Sequence, residues 1–459
     1  MTFAVRDRIR EVAARVGYRS VLGLTAATDL VPPRLRFGHW QRILDLLAVR
    51  GGLPVVPRRQ APPSVPDDGV PPAAVLPPRH SCLLISGSLD GGGVETVVSV
   101  LARGLTRHGF SVEVACSNLG RVSHELQAAG VRVTEASAQD LPALIAERRP
   151  DVIQLHRVDR TLIAPLMDAG VPVVPVFHAM ESYLNDETWS VLRTMVNQWP
   201  SCIAVSDGVR EYFAERLAGA RIRVVVNGVR QVEPALLGRH AAREAVARAI
   251  GTEISDDDVL VVALQRFSDQ KNAAGLVDAF LRAQEMAPRL RLIMAGSPDN
   301  WLEVLRANLL RRGHSAGARV HLLGDSDPWT VLSAGDLYAL DSFAEGGPLS
   351  AVEAAVCGLP LVLSDVGFAR ELVAADGVRG EWVVRANADA SARTMAQQRR
   401  RRHQSNRDEF SRALARTAAL RRTAGGSVPE PFTEETMVRG HAMALMDTIS
   451  ASTSRRHTD

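Results

Sequence analysis

The first 53 residues carry apolar positions at helical spacing. Val5, Ile9, Val12, Ala13 and Val16 form one stripe against an arginine-rich face, and Trp40, Ile43, Leu44, Leu46 and Leu47 predict a second helix. Residues 1–53 read as a helical extension, either packed on the main body or lying through residues 1–50 on an anionic membrane surface. The rhythm then stops. Nine of the 25 residues from Pro54 to Pro78 are proline, with no apolar period, which predicts a polyproline-like or disordered linker over 54–79. From His80 onward, short apolar runs alternate with stretches of helical period, the pattern of repeated βα units around parallel sheets.

In the first of these units Leu83–Ile85 reads as a strand, Gly91-Gly92-Gly93 as the turn, Thr96–Arg107 as a helix and Val112–Ala115 as the next strand. Glycines at such a turn let the backbone approach a ligand closely. The spacing is not Gly-x-Gly-x-x-Gly, so a dinucleotide site is not indicated. Two later strands end in His156 and His178, and ligands of open α/β sheets bind at the carboxyl ends of strands. Ser206 has the place of a helix cap. A second series of βα units opens near Asp258, with Arg266 and Lys271 in its first loop and Gly296-Ser297 after a later strand. The stretch from Asp341 to Asp365 reads loop, helix, loop, strand: Gly346, Gly347 and Pro348 lead in, Leu349, Val352 and Val356 form the apolar stripe, and Gly358 and Pro360 end the helix. After about Val384 the pattern weakens. The run from Arg399 to Phe410 reads as a solvated helix face, and Glu434–Ile449 as a last helix.

Two carboxylates bracket the helix that starts at Leu349 and Ser350: Glu345 before it and Glu353 within it. The helix start offers unpaired N–H groups and a positive dipole end, which favour phosphate. An acid on either side is placed to hold sugar hydroxyls. The chain has 54 basic residues and Lys271 is its only lysine, so a compact ammonium survives here in an otherwise arginine-only chain. Two cations at a helix start can neutralise the charge of a phosphate.

Composition changes this picture little. A chain of 459 residues exceeds one core and predicts two domains plus extras. The net charge of +3 is too small for a nucleic-acid-binding stripe. Four scattered cysteines without Cys-x-x-Cys spacing predict a reduced, cytoplasmic protein without a zinc site. Neither a membrane-spanning apolar run nor the apolar core of a signal peptide is seen.

The segment EGGPLSAVEAAVCGLPLVLSDVGFARELV, residues 345–373, resembles the Glu-x7-Glu signature of the family 4 nucleotide-sugar glycosyltransferases. Gly92, Gly93, Val94 and Glu95 resemble that family's Gly-Gly-x-Glu loop. Gln265, Arg266, Phe267 and Lys271 resemble its Gly-Arg-Leu-x-x-x-Lys motif, with glutamine for glycine. Val224–Val229 resembles its exit from the first domain, with valine for proline. The resemblance implies an α/β chain of GT-B fold, two Rossmann-like domains facing across a cleft: an acceptor domain over 80–232, a donor domain over 233–385, and a helical tail over 386–459 whose last helix crosses back. It implies sugar transfer from a nucleoside diphosphate to a glycan, lipid-linked or small-molecule acceptor, with retention of configuration and neither cofactor nor metal. Arg266 and Lys271, assisted by Leu349 and Ser350, would stabilise the diphosphate. Glu353 would hold the ribose and Glu345 the donor sugar. His178 would orient the donor, while Gly92, Gly93, Gly296, Gly346 and Gly347 line the substrates. The rival expectations are a non-catalytic subunit of the same fold and a sugar-nucleotide epimerase. The protein would be cytoplasmic, with peripheral membrane contact through residues 1–50 as the alternative for its extension.

Overall fold

The computed structural model describes residues 3–30, 52–58, 78–90, 92–182, 184–230, 238–420, 422–423 and 428–456. The helix expected over Trp40–Leu47, the glycine at 91 and residues 59–77 of the proline-rich stretch lie outside them. Two units are formed. One, which contains the expected donor domain and takes the name donor unit from that expectation, comprises Met1–Gln60, Gln231–Glu345 and Ser350–Pro429; the other comprises Ala61–Arg230, Gly346–Leu349 and Glu430–Asp459, the histidine unit.

The histidine unit is built on seven parallel strands: β1 (His80–Ser88), β2 (Phe110–Asn118), β3 (Arg132–Glu135), β4 (Val152–Leu155), β5 (Val173–Phe177), β6 (Ser201–Ala204) and β7 (Arg221–Val224), in the order β3-β2-β1-β4-β5-β6-β7. Leu83, Leu84, Ile85, Val152, Ile153 and Leu155 are all buried. Strands covered by helices on both faces have no polar side, which is why they read as continuous apolar runs. The helix Gly93–Gly104 begins three residues before the expected Thr96 and buries Val97, Val98 and Leu101. The last helix, Glu434–Arg456, also packs in this unit, through Met437, Val438, Ala442 and Leu445. A Cβ on Gly104 would lie 2.6 Å from Val438, so the absence of a side chain lets the two helices pass closely. Ser206 caps Asp207–Ala214, accepting the Val209 N–H at 3.3 Å.

The donor unit has six parallel strands: β8 (Val259–Leu264), β9 (Leu290–Ala295), β10 (Val320–Leu323), β11 (Leu337–Leu340), β12 (Leu361–Ser364) and β13 (Gly380–Val383), in the order β10-β9-β8-β11-β12-β13. In both sheets the chain winds outward to one side and then returns to the other. The strand order reverses between β1 and β4, and again between β8 and β11. At such a switch point neighbouring strands send their following loops apart, leaving a crevice at the carboxyl ends.

The N-terminal helix Phe3–Thr28 packs on the donor unit through Ala14, Tyr18, Val21 and Thr25, leaving Val12, Val16 and Leu24 exposed. Residues 52–58 run extended beside the loop after β10: Gly324 N–H donates to the Pro54 carbonyl at 2.8 Å and Asp327 N–H to that of Val56 at 3.0 Å. No helix among the described residues is long and apolar enough to cross a membrane.

The arginine run departs from expectation. Arg399 and Arg407 are not on a solvated face; they are among the largest fully buried side chains. Arg399 bridges Asp29 at 2.7 Å, Asp269 at 2.9 Å and Glu303 at 2.6 Å, and Glu303 also holds Arg306 at 2.9 Å. Each of these acids lies far from Arg399 in sequence, so no local period marks the pairing. Because Asp29 follows the N-terminal helix directly, Asp29→Ala should lower the stability of the donor unit by about 1–3 kcal/mol, the usual cost of an unmatched buried charge that keeps other partners. Denaturant midpoints measure this, and an unchanged midpoint would mean that apolar packing alone holds the helix.

Candidate active site

The carboxyl ends of β8 and β11 carry the two segments singled out in the sequence. The chain leaves β8 through Gln265–Ser268 into a 3₁₀ turn, Asp269–Lys271, and leaves β11 through Asp341–Glu345. Gln270 fastens one to the other: its carbonyl accepts the Phe343 N–H at 2.9 Å, and its side chain donates to the Ala344 carbonyl at 2.6 Å. Lys271 and Glu345 are thereby brought together. The ammonium Nζ lies 2.6 and 2.7 Å from the two carboxylate oxygens, with the Lys271 side chain 17% and the Glu345 side chain 7% exposed. Ser342 Oγ donates to the same carboxylate at 2.6 Å. An ion pair this sheltered from water keeps much of its Coulomb attraction and fixes the position of both charges.

The turn is held from beneath by residues that sequence reasoning assigned no role. Asn272, next to Lys271, has φ +50°, a conformation most side chains resist. Its side chain donates to Asp341 at 2.9 Å and exchanges two hydrogen bonds of 2.8 Å with Gln404. Arg407 completes the arrangement, pairing with Asp341 and donating to the Gly275 carbonyl. Asp341 is pushed upward by burial, and Arg407 opposes that shift. Arg399 acts two residues before Lys271, on Asp269. The tail thus shapes the loop that carries the only lysine. An Asn after the lysine, which tolerates this backbone, was the one local signal.

Arg266 lies in the same loop with its side chain 64% exposed, paired to Asp299 at 2.8 Å. Gly296 has a packing reason of its own: a Cβ there would meet the Gln265 carbonyl oxygen at 2.0 Å, so the chain after β9 passes too close for any side chain. The helix Leu349–Val356 starts immediately after Pro348. The Ser350 hydroxyl points inward, donating to the Leu264 carbonyl at 3.2 Å and lying 2.7 Å from the Tyr338 hydroxyl, which ties the helix start to the end of β8. Glu353 is half-buried, and among the described residues no hydrogen bond to its carboxylate offsets the burial. Burial raises it from the usual 4.5 to about 7.

That shift has a defined sign. The folded protein binds the Glu353 proton more tightly than the unfolded chain does, so this group's contribution to stability falls as pH rises from about 4.5 to about 7. Glu353→Gln should remove this slope and be the more stable protein at about pH 8, by roughly 1–3 kcal/mol after allowing for partial solvent access. Parallel denaturation of both proteins at about pH 5 and pH 8 checks it; identical slopes would contradict the assignment.

The remaining predicted residues belong to the histidine unit. Gly92 and Gly93 lie at the start of the helix after β1, both exposed; a Cβ on Gly92 would crowd the flexible Glu95 carboxylate at 2.6 Å. Gly346, Gly347 and Leu349 are grouped with this unit, where a Cβ on Gly346 would meet the His178 carbonyl oxygen at 1.7 Å. His178 follows β5. Its ring Nε2 lies 2.9 Å from Nδ1 of His156, and burial lowers it from 6.5 to about 4, so the ring is neutral at pH 7. A groove of about 810 Å³ is lined by Pro142, Asp151, Pro172 and Ile449 among others. It lies at the opposite, amino ends of β4 and β5 and contains none of these residues. No cluster of three or more His, Cys, Asp or Glu side chains suited to a metal ion occurs among the described residues.

Comparison with known proteins bears on the family and the fold. A family model described as glycosyl transferases group 1 matches residues 250–413, and one described as glycosyltransferase family 4 matches residues 91–231. The D-inositol 3-phosphate glycosyltransferases of Mycobacterium tuberculosis and Mycobacterium bovis are 32% identical over 240 residues, covering 51% of this chain and 46% of theirs. The chain therefore spans about half the length of the curated relatives it matches. A glycosyltransferase structure from Rickettsia africae superposes with a TM-score of 0.61 at 16% identity, covering 81% of this chain and 98% of that one. Anabaena Alr3699/HepE in complex with UDP and glucose gives 0.57 at 19% identity, covering 80% and 100%. The fold is that of the GT-B glycosyltransferases.

Proposed function

The chain belongs to the family 4 glycosyltransferases, and from that premise we propose that it moves a sugar from a nucleoside-diphosphate sugar to an acceptor hydroxyl, with retention of configuration. The observation that carries this reading is the sheltered Lys271–Glu345 pair at the switch point of the donor unit. In the reaction the bond between the anomeric carbon and the β-phosphate oxygen breaks. The acceptor oxygen bonds to that carbon from the same face, and its proton leaves on the departing diphosphate. The cost is concentrated in negative charge building on the leaving group. Lys271 answers it as a point charge and Arg266 as a solvent-facing guanidinium, and the helix start at Leu349 and Ser350 adds its N–H groups. Glu345, which keeps Ser342 as a partner when Nζ turns to phosphate, receives hydroxyls of the donor sugar. Glu353 gains in the ribose hydroxyls the hydrogen-bond partners it lacks. His178 orients the donor; Gly92, Gly93, Gly346 and Gly347 permit close approach of substrate.

The charge on Lys271 and Arg266 makes metal unnecessary in this scheme, so turnover should persist in EDTA. Uridine is the base to try first, because the Anabaena relative holds UDP. The acceptor class is a glycan, a lipid-linked glycan or a small natural product. The test is incubation with a panel of UDP-, GDP- and ADP-sugars, following nucleotide release and the anomeric configuration of any product. Release of nucleoside diphosphate with a retained anomeric centre is expected. Nucleotide binding without release from any donor would favour a non-catalytic subunit, and formation of a free 2-epimer an epimerase.

A further inference from the structure

A buried chain of polar groups runs inward from His178. His178 Nε2 lies 2.9 Å from His156 Nδ1, and His156 Nε2 lies 3.0 Å from Gln154 Oε1. The amide Nε2 of Gln154 lies 3.0 Å from Nδ1 of His441 on the last helix. His156 is 4% exposed, and Gln154 and His441 are fully enclosed. The two outer atoms, Nδ1 of His178 and Nε2 of His441, are buried with no partner among the described residues. Burial also keeps all three imidazoles neutral at pH 7.

A neutral imidazole has one N–H and one bare nitrogen, and an amide has one donating and one accepting end. Each bond in the chain needs one of each, so the orientation of the Gln154 amide dictates every proton along it. With the amide N–H donating to His441, His156 carries its proton on Nε2 and His178 carries its own on Nε2, leaving His178 Nδ1 as an acceptor. With the amide turned over, the pattern reverses and His178 Nδ1 becomes a donor. Both registers keep the same three hydrogen bonds, so what meets the ends decides between them.

We propose that Gln154, His156 and His441 are positioning residues that set which ring nitrogen of His178 carries the proton. The part of this that concerns the donor sugar rests on the function proposed above: a sugar hydroxyl offering its oxygen to Nδ1 selects the register in which Nδ1 donates. The catalytic contact is made by His178 alone; the other three act through it. Nothing local in sequence marks the chain, because Gln154 and His441 are separated by 287 positions.

Long-range 1H–15N correlation of the histidine rings reads the proton positions directly, with the His178 signals identified by their loss in His178→Gln. Wild type should show one neutral tautomer at His178. In Gln154→Leu the two ring nitrogens of His178 should move toward the averaged shifts of a mixed tautomer, and kcat/KM for the donor should fall about 10-fold or more, with the nucleoside diphosphate Kd unchanged. If that variant does not fold, His156→Phe cuts the same link and should also displace the His178 signals. Signals from His178 that are indifferent to residue 154 or residue 156 would overturn the proposal. A tautomer response in the variants, with a wild-type protein that turns over no sugar nucleotide, would overturn the proposed function and leave the relay standing.

Discussion

Replacing Lys271 by alanine is expected to lower kcat/KM for the sugar nucleotide by ~100-fold or more, about 3 kcal/mol of transition-state stabilisation. The loss should fall mainly on kcat, because the charge is needed most when the diphosphate departs. Lys271→Arg should recover little of it. The guanidinium is a broad planar fork, and the space beside Glu345 and Ser342 is shaped for a compact ammonium within 2.7 Å of both carboxylate oxygens. The single substitution has a second consequence, since it leaves the enclosed Glu345 carboxylate without its cation. A Lys271→Ala, Glu345→Gln pair separates the two effects: stability should return in the double variant while turnover stays low. Steady-state kinetics with the denaturation midpoint measured beside them decide it, and near-wild-type turnover of Lys271→Ala would remove the residue from the mechanism.

Arg407→Leu should produce the largest change in stability, about 3–5 kcal/mol, because it strands Asp341 beneath the site. Asp341 keeps Asn272 and Asn406 as donors, but no other cation pairs with it among the described residues. Protonation of Asp341 limits the damage at low pH, so the defect should be smaller at about pH 5 than at pH 8. Asp341→Asn in the same protein should restore much of the loss. The Lys271 turn hangs on this network through Asn272, so the variant should also bind nucleoside diphosphate more weakly. Urea midpoints for the single and double variants measure the coupling, and a double variant no more stable than the single would show that Arg407 acts through packing alone.

These two residues also mark where the sequence stops being readable. Lys271 and Glu345 stand out locally: one is the only lysine, and the other precedes a helix framed by glycine and proline. The strands are legible for a similar reason, because runs such as Leu83–Ile85 and Leu361–Leu363 are enclosed on both faces and therefore apolar throughout. Arg399 and Arg407 look identical to the exposed arginines around them. Their partners, Asp29, Asp269, Glu303 and Asp341, lie 66 to 370 positions away, and only the folded chain brings them together. Gly296 illustrates a related limit: a glycine needed because the Gln265 carbonyl passes beside it reads, in one dimension, like a glycine needed by a ligand. The start of the helix at Gly93, not Thr96, shows the ordinary uncertainty of a glycine-led helix end.

A crystal structure of the protein with UDP or GDP measures directly where the diphosphate binds. The diphosphate is expected at the carboxyl ends of β8 and β11, with a phosphate oxygen within hydrogen-bond distance of Lys271 Nζ and the ribose hydroxyls on Glu353. A nucleotide held elsewhere, with the Lys271–Glu345 pair undisturbed, would contradict it.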